Sequence, residues 1–249
     1  MMQPDAKELL YTYLGKRTGE RVLSGLVKRG DGEKIYAVIW YCDLRDSTPL
    51  AESMPLESFL SILNDFFDCM AGAVLDHGGE ILRFIGDAAL AIFPIGGTTE
   101  SLREVCIPTE GACERALNAA RDAHSRIEAL NKQRKIQGEP PLGFGLGLHV
   151  GEVMYGNIGV PDRLEFTVIG PAANEAAHLE ALCKELDKTI LISWEFPRCF
   201  PDQMRSLGLH RLHGVSTPKE IFELLEEDVT DPQYASHKSG GCPEKATTS

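Results

Sequence analysis

The segment Leu142-Gly143-Phe144-Gly145-Leu146-Gly147-Leu148-His149 alternates bulky residues with glycine along almost its whole length. Successive strand residues face opposite sides of a sheet. This segment therefore reads as a strand with one bulky face and one nearly bare face. A bare face lets another element, or a ligand, approach the backbone closely. The glycines nearly imitate a dinucleotide-binding fingerprint, but their spacing fails and a strand, not a helix, holds them.

The neighbouring segments extend this sheet. Ile35 to Tyr41 reads as a buried strand. Ile81 to Ile85 and Ala88 to Phe93 read as two strands hinged at Gly86-Asp87, a hairpin signal. Val153 to Ile158 is expected to return as a hairpin partner of the glycine-rich strand, and Phe166 to Ile169 adds another. Thr189 to Ser193, Leu207 to Leu212 and Glu220 to Leu225 read as late strands. Leu56, Phe59, Leu60, Leu63, Phe66, Phe67, Met70, Val74 and Leu75 keep helical spacing up to His77-Gly78-Gly79. A second long helix is expected from about Thr109 to Lys135, and Pro171 starts a third that runs to about Leu186. This order of elements gives an α+β sandwich. No internal repeat is visible.

Residues 1–33 read as a helical lead-in and linker, residues 34–226 as one domain, and residues 227–249 as a polar, disordered tail. Gly15 and Gly19 are expected to interrupt the lead-in.

Composition narrows the function classes. The net charge of −12 argues against a nucleic-acid partner, because a phosphate backbone needs a basic face. A single nucleotide needs only a local cationic pocket. No apolar stretch reads as long enough to cross a bilayer, and no signal peptide opens the chain, so a cytoplasmic location without membrane contact is expected. Seven cysteines with no paired zinc spacing read as reduced thiols. His210 and His213 would face opposite sides of a strand, which disfavours a shared metal. A P-loop and a serine-hydrolase elbow are both absent.

Two aspartates stand out: Asp43 in Tyr41-Cys42-Asp43-Leu44-Arg45-Asp46-Ser47-Thr48 and Asp87 in Arg83-Phe84-Ile85-Gly86-Asp87-Ala88. Each follows a β-prone run, so each sits on a rigid support. Carboxylates that converge repel each other unless a cation lies between them, and Mg²⁺ is held by one or two carboxylates with phosphates and water. The pair reads as a Mg²⁺–nucleotide site; taken singly, each is equally a loop cap or a turn residue.

Downstream lie Gly151-Glu152-Val153-Met154-Tyr155-Gly156-Asn157-Ile158-Gly159 and Arg163-Leu164-Glu165-Phe166-Thr167-Val168-Ile169-Gly170-Pro171-Ala172-Ala173-Asn174-Glu175-Ala176-Ala177-His178-Leu179-Glu180. With the two aspartate motifs, in this order, the chain resembles the class III nucleotidyl cyclase catalytic domain from about Lys34 to Leu225. The resemblance implies a mixed, mostly antiparallel sheet with packed helices. It implies an adenylate cyclase that turns ATP into cyclic AMP and pyrophosphate in a head-to-tail homodimer, with two Mg²⁺ or Mn²⁺ ions at each site.

The resemblance also assigns roles. Asp43 and Asp87 match the metal-binding aspartates, and Leu44 would offer its carbonyl to one metal. Ser47 and Thr48 would lead a helix whose N–H groups face the phosphates, although an N-cap role is as good a reading for either. Thr167 falls at the base-recognising position, where the bicarbonate-responsive subclass usually has threonine. Asn174 matches the ribose-positioning asparagine, and Arg163 a triphosphate-binding arginine. Two positions depart from the pattern. Arg83 stands where the family usually has a lysine that helps read adenine. His178 stands where the family usually has an arginine that stabilises the transition state. These departures keep two alternatives open: a catalytically weak nucleotide-binding or regulatory module, and a guanylate cyclase.

Overall fold

The computed structural model describes residues 5–25, 28–95, 107–196, 200–212 and 215–225. Two short helices come first, α1 (Ala6–Leu14) and α2 (Lys16–Leu23), with the turn between them at Gly15. Gly19 does not interrupt α2. It lies buried inside the helix, where the Tyr11 ring packs against it. The tail expected at 227–249 and His213 lie outside the described residues.

An eight-stranded sheet forms the centre. Its strands are β1 (Gly32–Leu44), β2 (Glu80–Ile85), β3 (Ala88–Ile95), β4 (Phe144–Val160), β5 (Arg163–Ile169), β6 (Ile190–Ser193), β7 (Met204–His210) and β8 (Lys219–Leu224). The order is β2-β3-β1-β4-β6-β8-β7, with β5 paired to the far part of β4. The β4–β6 pair is parallel and the other described pairs are antiparallel. Four further helices pack on the sheet: α3 (Ser47–Glu52), α4 (Leu56–Asp76), α5 (Ile107–Gln137) and α6 (Pro171–Glu185). The fold is the expected α+β, mostly antiparallel architecture.

Strand alternation sorts the two faces. Val38, Trp40, Cys42 and Leu44 of β1 join Phe144, Leu146 and Leu148 of β4 in a core shared with Phe66 and Met70 of α4 and Leu117 and Ala120 of α5. Ala37 and Ile39 face the other way, toward Ala172 and Ala176 of α6. Asp43 shares the parity of Ala37 and Ile39, so it stands on the α6 side.

Two sequence expectations need correction. No hairpin separates the glycine-rich strand from Val153–Ile158. Both belong to β4, which pairs with β1 continuously from Leu44↔Phe144 to Gly32↔Gly156. That long ladder satisfies the backbone through Val150-Gly151-Glu152, so no turn is needed there. The real hairpin is β4–β5, closing at Val160↔Arg163. Second, α4 does have the length and apolarity of a membrane-spanning helix. Here it is a core helix, with Ile62, Phe66, Met70, Ala73 and Val74 buried against the sheet.

On the α6 side the bare face of β4 is used fully. A Cβ on Gly147 would collide with the Ala176 carbonyl and fall 2.7 Å from the Glu180 nitrogen. The helix thus rests on the strand backbone, which requires glycine on that face.

Candidate active site

The β2–β3 hairpin and the end of β1 bring the two aspartates together. Asp43 pairs across with Ala88, the residue after Asp87. Gly86 turns the hairpin with φ 64, a conformation glycine adopts without a steric penalty. The Leu44 N–H points at the Asp87 carbonyl, 3.4 Å away. Both side chains line one cleft, and two carboxylates this near each other disfavour ionisation unless a cation lies between them. Burial, then Asp87, then the charge of Glu180 hold the Asp43 carboxyl well above the usual carboxylate range. Its Oδ1 is buried without a hydrogen-bond partner.

A cleft of about 380 Å³ opens here, lined by Asp43, Leu44, Arg45, Asp46, Ser47, Thr48, Asp87, Glu180 and Lys184 among others. Hard carboxylate oxygens and one orphaned, buried oxygen fit Mg²⁺ or Mn²⁺. Among the described residues, no three His, Cys, Asp or Glu side chains cluster tightly enough to cage an ion. That suits Mg²⁺, which keeps waters and takes substrate phosphates as ligands.

The turn after Asp43 differs from expectation in its details. Asp46, not Ser47 or Thr48, is the N-cap of α3; it is left-handed, with φ 54, and makes no side-chain cap. Ser47 and Thr48 are the first residues of that six-residue helix. Arg45 lines the cleft but spends its guanidinium elsewhere. Its Nη2 donates to the carbonyls of Cys183 and Lys188, tying β1 to the end of α6.

The other sequence candidates do not line this cleft. Arg83 on β2 is paired with Glu165 on β5 at 2.5 Å. Thr167, two residues further and on the same face, is 1% exposed, and its hydroxyl makes no hydrogen bond. Arg163 is exposed at the start of β5; with Arg83 and Glu165 it lines a cavity of about 710 Å³ shared with α1 and α2. Asn174 is exposed on the second turn of α6, and His178 is half-buried one turn later. Within one chain, the structure therefore brings Asp43, Leu44, Ser47, Thr48 and Asp87 together, and places Arg83, Thr167, Asn174 and His178 elsewhere.

The chain as a whole has counterparts among known proteins. No family model matches the chain. It is 36% identical over 160 residues to an adenylate cyclase of Anabaena cylindrica, covering 62% of this chain and 29% of that protein. The solved guanylyl cyclase Cya2 aligns with a TM-score of 0.65 at 26% identity, over 80% of this chain and 97% of that one. The adenylyl cyclase CyaB from P. aeruginosa aligns with a TM-score of 0.65 at 25% identity, over 78% and 96%. The chain carries a class III nucleotidyl cyclase catalytic domain. It spans less than two fifths of the length of the curated relatives it matches.

Three features of this cyclase domain escaped sequence reasoning. Glu180 follows His178 by two residues on α6 and lines the cleft. Its signal was the glycine at 145, cross-strand from Asp43. Glu165 as the partner of Arg83 had no sequence signal, because 82 residues separate them. The lead-in helix α2 docks through a buried network: Thr18 and Tyr155 both hydrogen-bond Glu80 Oε1, at 3.0 and 2.7 Å. Of the cysteines, Cys42, Cys69, Cys113 and Cys183 are buried, and burial pushes the Cys42 and Cys183 thiols up to about 12, leaving those two inert.

Proposed function

We propose that this chain is an adenylate cyclase, converting ATP to cyclic AMP and pyrophosphate with two Mg²⁺ or Mn²⁺ ions per site. The observation that carries the reading is the convergence of Asp43 and Asp87 on one open cleft, with a buried Asp43 oxygen left without a partner. Asp43, Asp87 and the Leu44 carbonyl would hold the ions. When bound, the ions neutralise phosphate charge and lower the pKa of an attacking hydroxyl.

The remaining roles belong to the protein. Thr167 presents a buried, unsatisfied hydroxyl, which the exocyclic amino group of adenine would satisfy. Arg83, fixed by Glu165, offers planar donors beside it. Asn174 orients the ribose, and Ser47, Thr48 and Arg163 contact the triphosphate. His178 faces the charge that develops on the phosphorus oxygens; in its protonated form it is a cation there.

Since Asp43 and Asp87 line one cleft while Thr167, Asn174 and His178 stand outside it, one chain does not complete a site. A head-to-tail homodimer would bring the two groups face to face from different chains. Exposed apolar residues flank both regions, Phe84 and Ile85 on the hairpin and Met154, Val160 and Ile169 on β4 and β5.

A second reading, a catalytically weak cyclase-like module, is favoured by one observation: histidine at 178 where the family places arginine. The test is direct. Purified protein with ATP or GTP and Mn²⁺ is assayed for cyclic nucleotide by mass spectrometry. Cyclic AMP from ATP supports the first reading, and cyclic GMP from GTP alone would move it to a guanylate cyclase. Nucleotide binding without product supports the module. Mixing inactive Asp43→Ala with inactive Asn174→Ala should restore part of the activity, because the mixed dimer holds one intact site. No restoration would refute the shared site.

A further inference from the structure

The Asp43–Asp87 pair has a third acidic neighbour. Asp43 is cross-strand from Gly145 on one side and from Ala88, beside Asp87, on the other. Directly opposite residues in a sheet hold their side chains about 5 Å apart. The Gly145 position has no side chain of its own. Glu180, on α6, folds its carboxylate into that empty place: its Oε1 stands where a Cβ at 145 would project. Glu180 lines the same cleft as Asp43 and Asp87.

Three carboxylates thus point into one small cleft. The nearby cations offset them only in part, the charge of Arg45 acting on Glu180. Arg45 is committed to the carbonyls of Cys183 and Lys188, and Lys184 makes an exposed pair with Asp46. A triphosphate, itself strongly anionic, cannot enter such a cleft until cations lie in it.

We propose that Glu180 is the third carboxylate of the metal centre, holding the water shell of the divalent cation that Asp43 and Asp87 bind. It reaches the ion through water, since the three side chains are not close enough to cage it. Gly145 is the residue that admits it. This inference rests on the metal reading given under the proposed function. It adds that the cleft takes a divalent cation before nucleotide arrives, with Glu180 raising the affinity as a positioning residue.

The experiment is a Mn²⁺ titration of the nucleotide-free full chain, with free Mn²⁺ read by electron paramagnetic resonance, beside thermal unfolding with and without Mn²⁺. Wild type, Glu180→Gln and Asp43→Asn are compared. Glu180→Gln is expected to weaken Mn²⁺ binding by about tenfold, the size of one unit charge acting through a water layer. It should also raise the metal-free melting temperature, because a repulsive charge is gone, while shrinking the rise that Mn²⁺ produces. A merely structural role would instead lower the melting temperature in both conditions, and that result overturns the proposal. Unchanged Mn²⁺ affinity in Glu180→Gln, with binding lost in Asp43→Asn, also overturns it and leaves the metal reading standing. Unchanged affinity in both variants would remove the metal reading itself.

Discussion

Replacing Gly147 by alanine tests the contact on which the whole site is mounted. The new Cβ would collide with the Ala176 carbonyl, and would lie 2.7 Å from the Glu180 nitrogen and 2.9 Å from the Leu179 Cβ. Ordinary carbon contacts lie near 3.5–4.0 Å, so α6 must retreat by about 1 Å. It has no slack, because Ala176 and Leu179 are both fully buried. Overpacking of this kind costs about 1–3 kcal/mol; for backbone contacts the upper half applies. For a chain of this size, 2–3 kcal/mol lowers the melting temperature by about 4–12 °C. Because α6 carries Asn174, His178 and Glu180, a shift of about 1 Å should also reduce kcat by about 100-fold. Gly143→Ala is the control, since its Cβ would meet only Arg45 carbons at 3.5 Å, an ordinary distance. It should change stability by less than about 1 kcal/mol. Thermal unfolding and cyclic nucleotide assays on both variants check the argument. A Gly147→Ala protein that melts within a degree of wild type and keeps its activity would refute the reasoning.

Three other perturbations follow from named contacts. His178→Arg should raise kcat more than it changes KM, because a permanent cation acts on charge present only in the transition state; equal rates for the two proteins would show that another group supplies that charge. His149 is buried, and burial, then Lys219, depress its pKa to about 4. The unfolded chain binds that proton more readily, so the stabilisation is complete above about pH 6.5 and is lost as pH falls toward 4, by at most about 3 kcal/mol. Burial raises the pKa of its neighbour Glu175, which works in the opposite direction and trims the loss. Denaturant unfolding of wild type and His149→Gln across pH 4–7 measures it; parallel profiles would contradict it. Tyr155→Phe removes the shorter hydrogen bond to Glu80 Oε1, worth about 1.5–3 kcal/mol to a charged acceptor. Amide exchange should speed up across α2, and unchanged exchange there would show that the network does not hold the lead-in.

The sequence was a good guide wherever the signal was local. Alternation in Ile35–Tyr41 and in the glycine-rich segment marked β1 and the first half of β4, and Gly86-Asp87 marked the hairpin that sets Asp87 beside Asp43. Helical spacing gave α4 and α6 almost to the residue. Local patterns failed where a long-range ladder decided the outcome. Val150-Gly151-Glu152 has the look of a turn, but thirteen residues of β1 hold it straight.

The site divides the same way. The motifs that carry Asp43, Asp87, Thr167, Asn174 and His178 fix the local backbone under each, so strand ends and helix starts were legible there. Their spatial relation was not: tertiary structure sets the two aspartates on one cleft and leaves Thr167, Asn174 and His178 outside it. The sequence by itself determined which side chains stand on strand ends and which face of each strand is bare, because periodicity and turn chemistry act over a few residues. Only the tertiary structure decided that Glu165 clamps Arg83 and that Glu180 fills the place above Gly145. Those contacts join segments 35 to 82 residues apart, and their geometry comes from the β1–β4 register and the seating of α6, which no local pattern encodes.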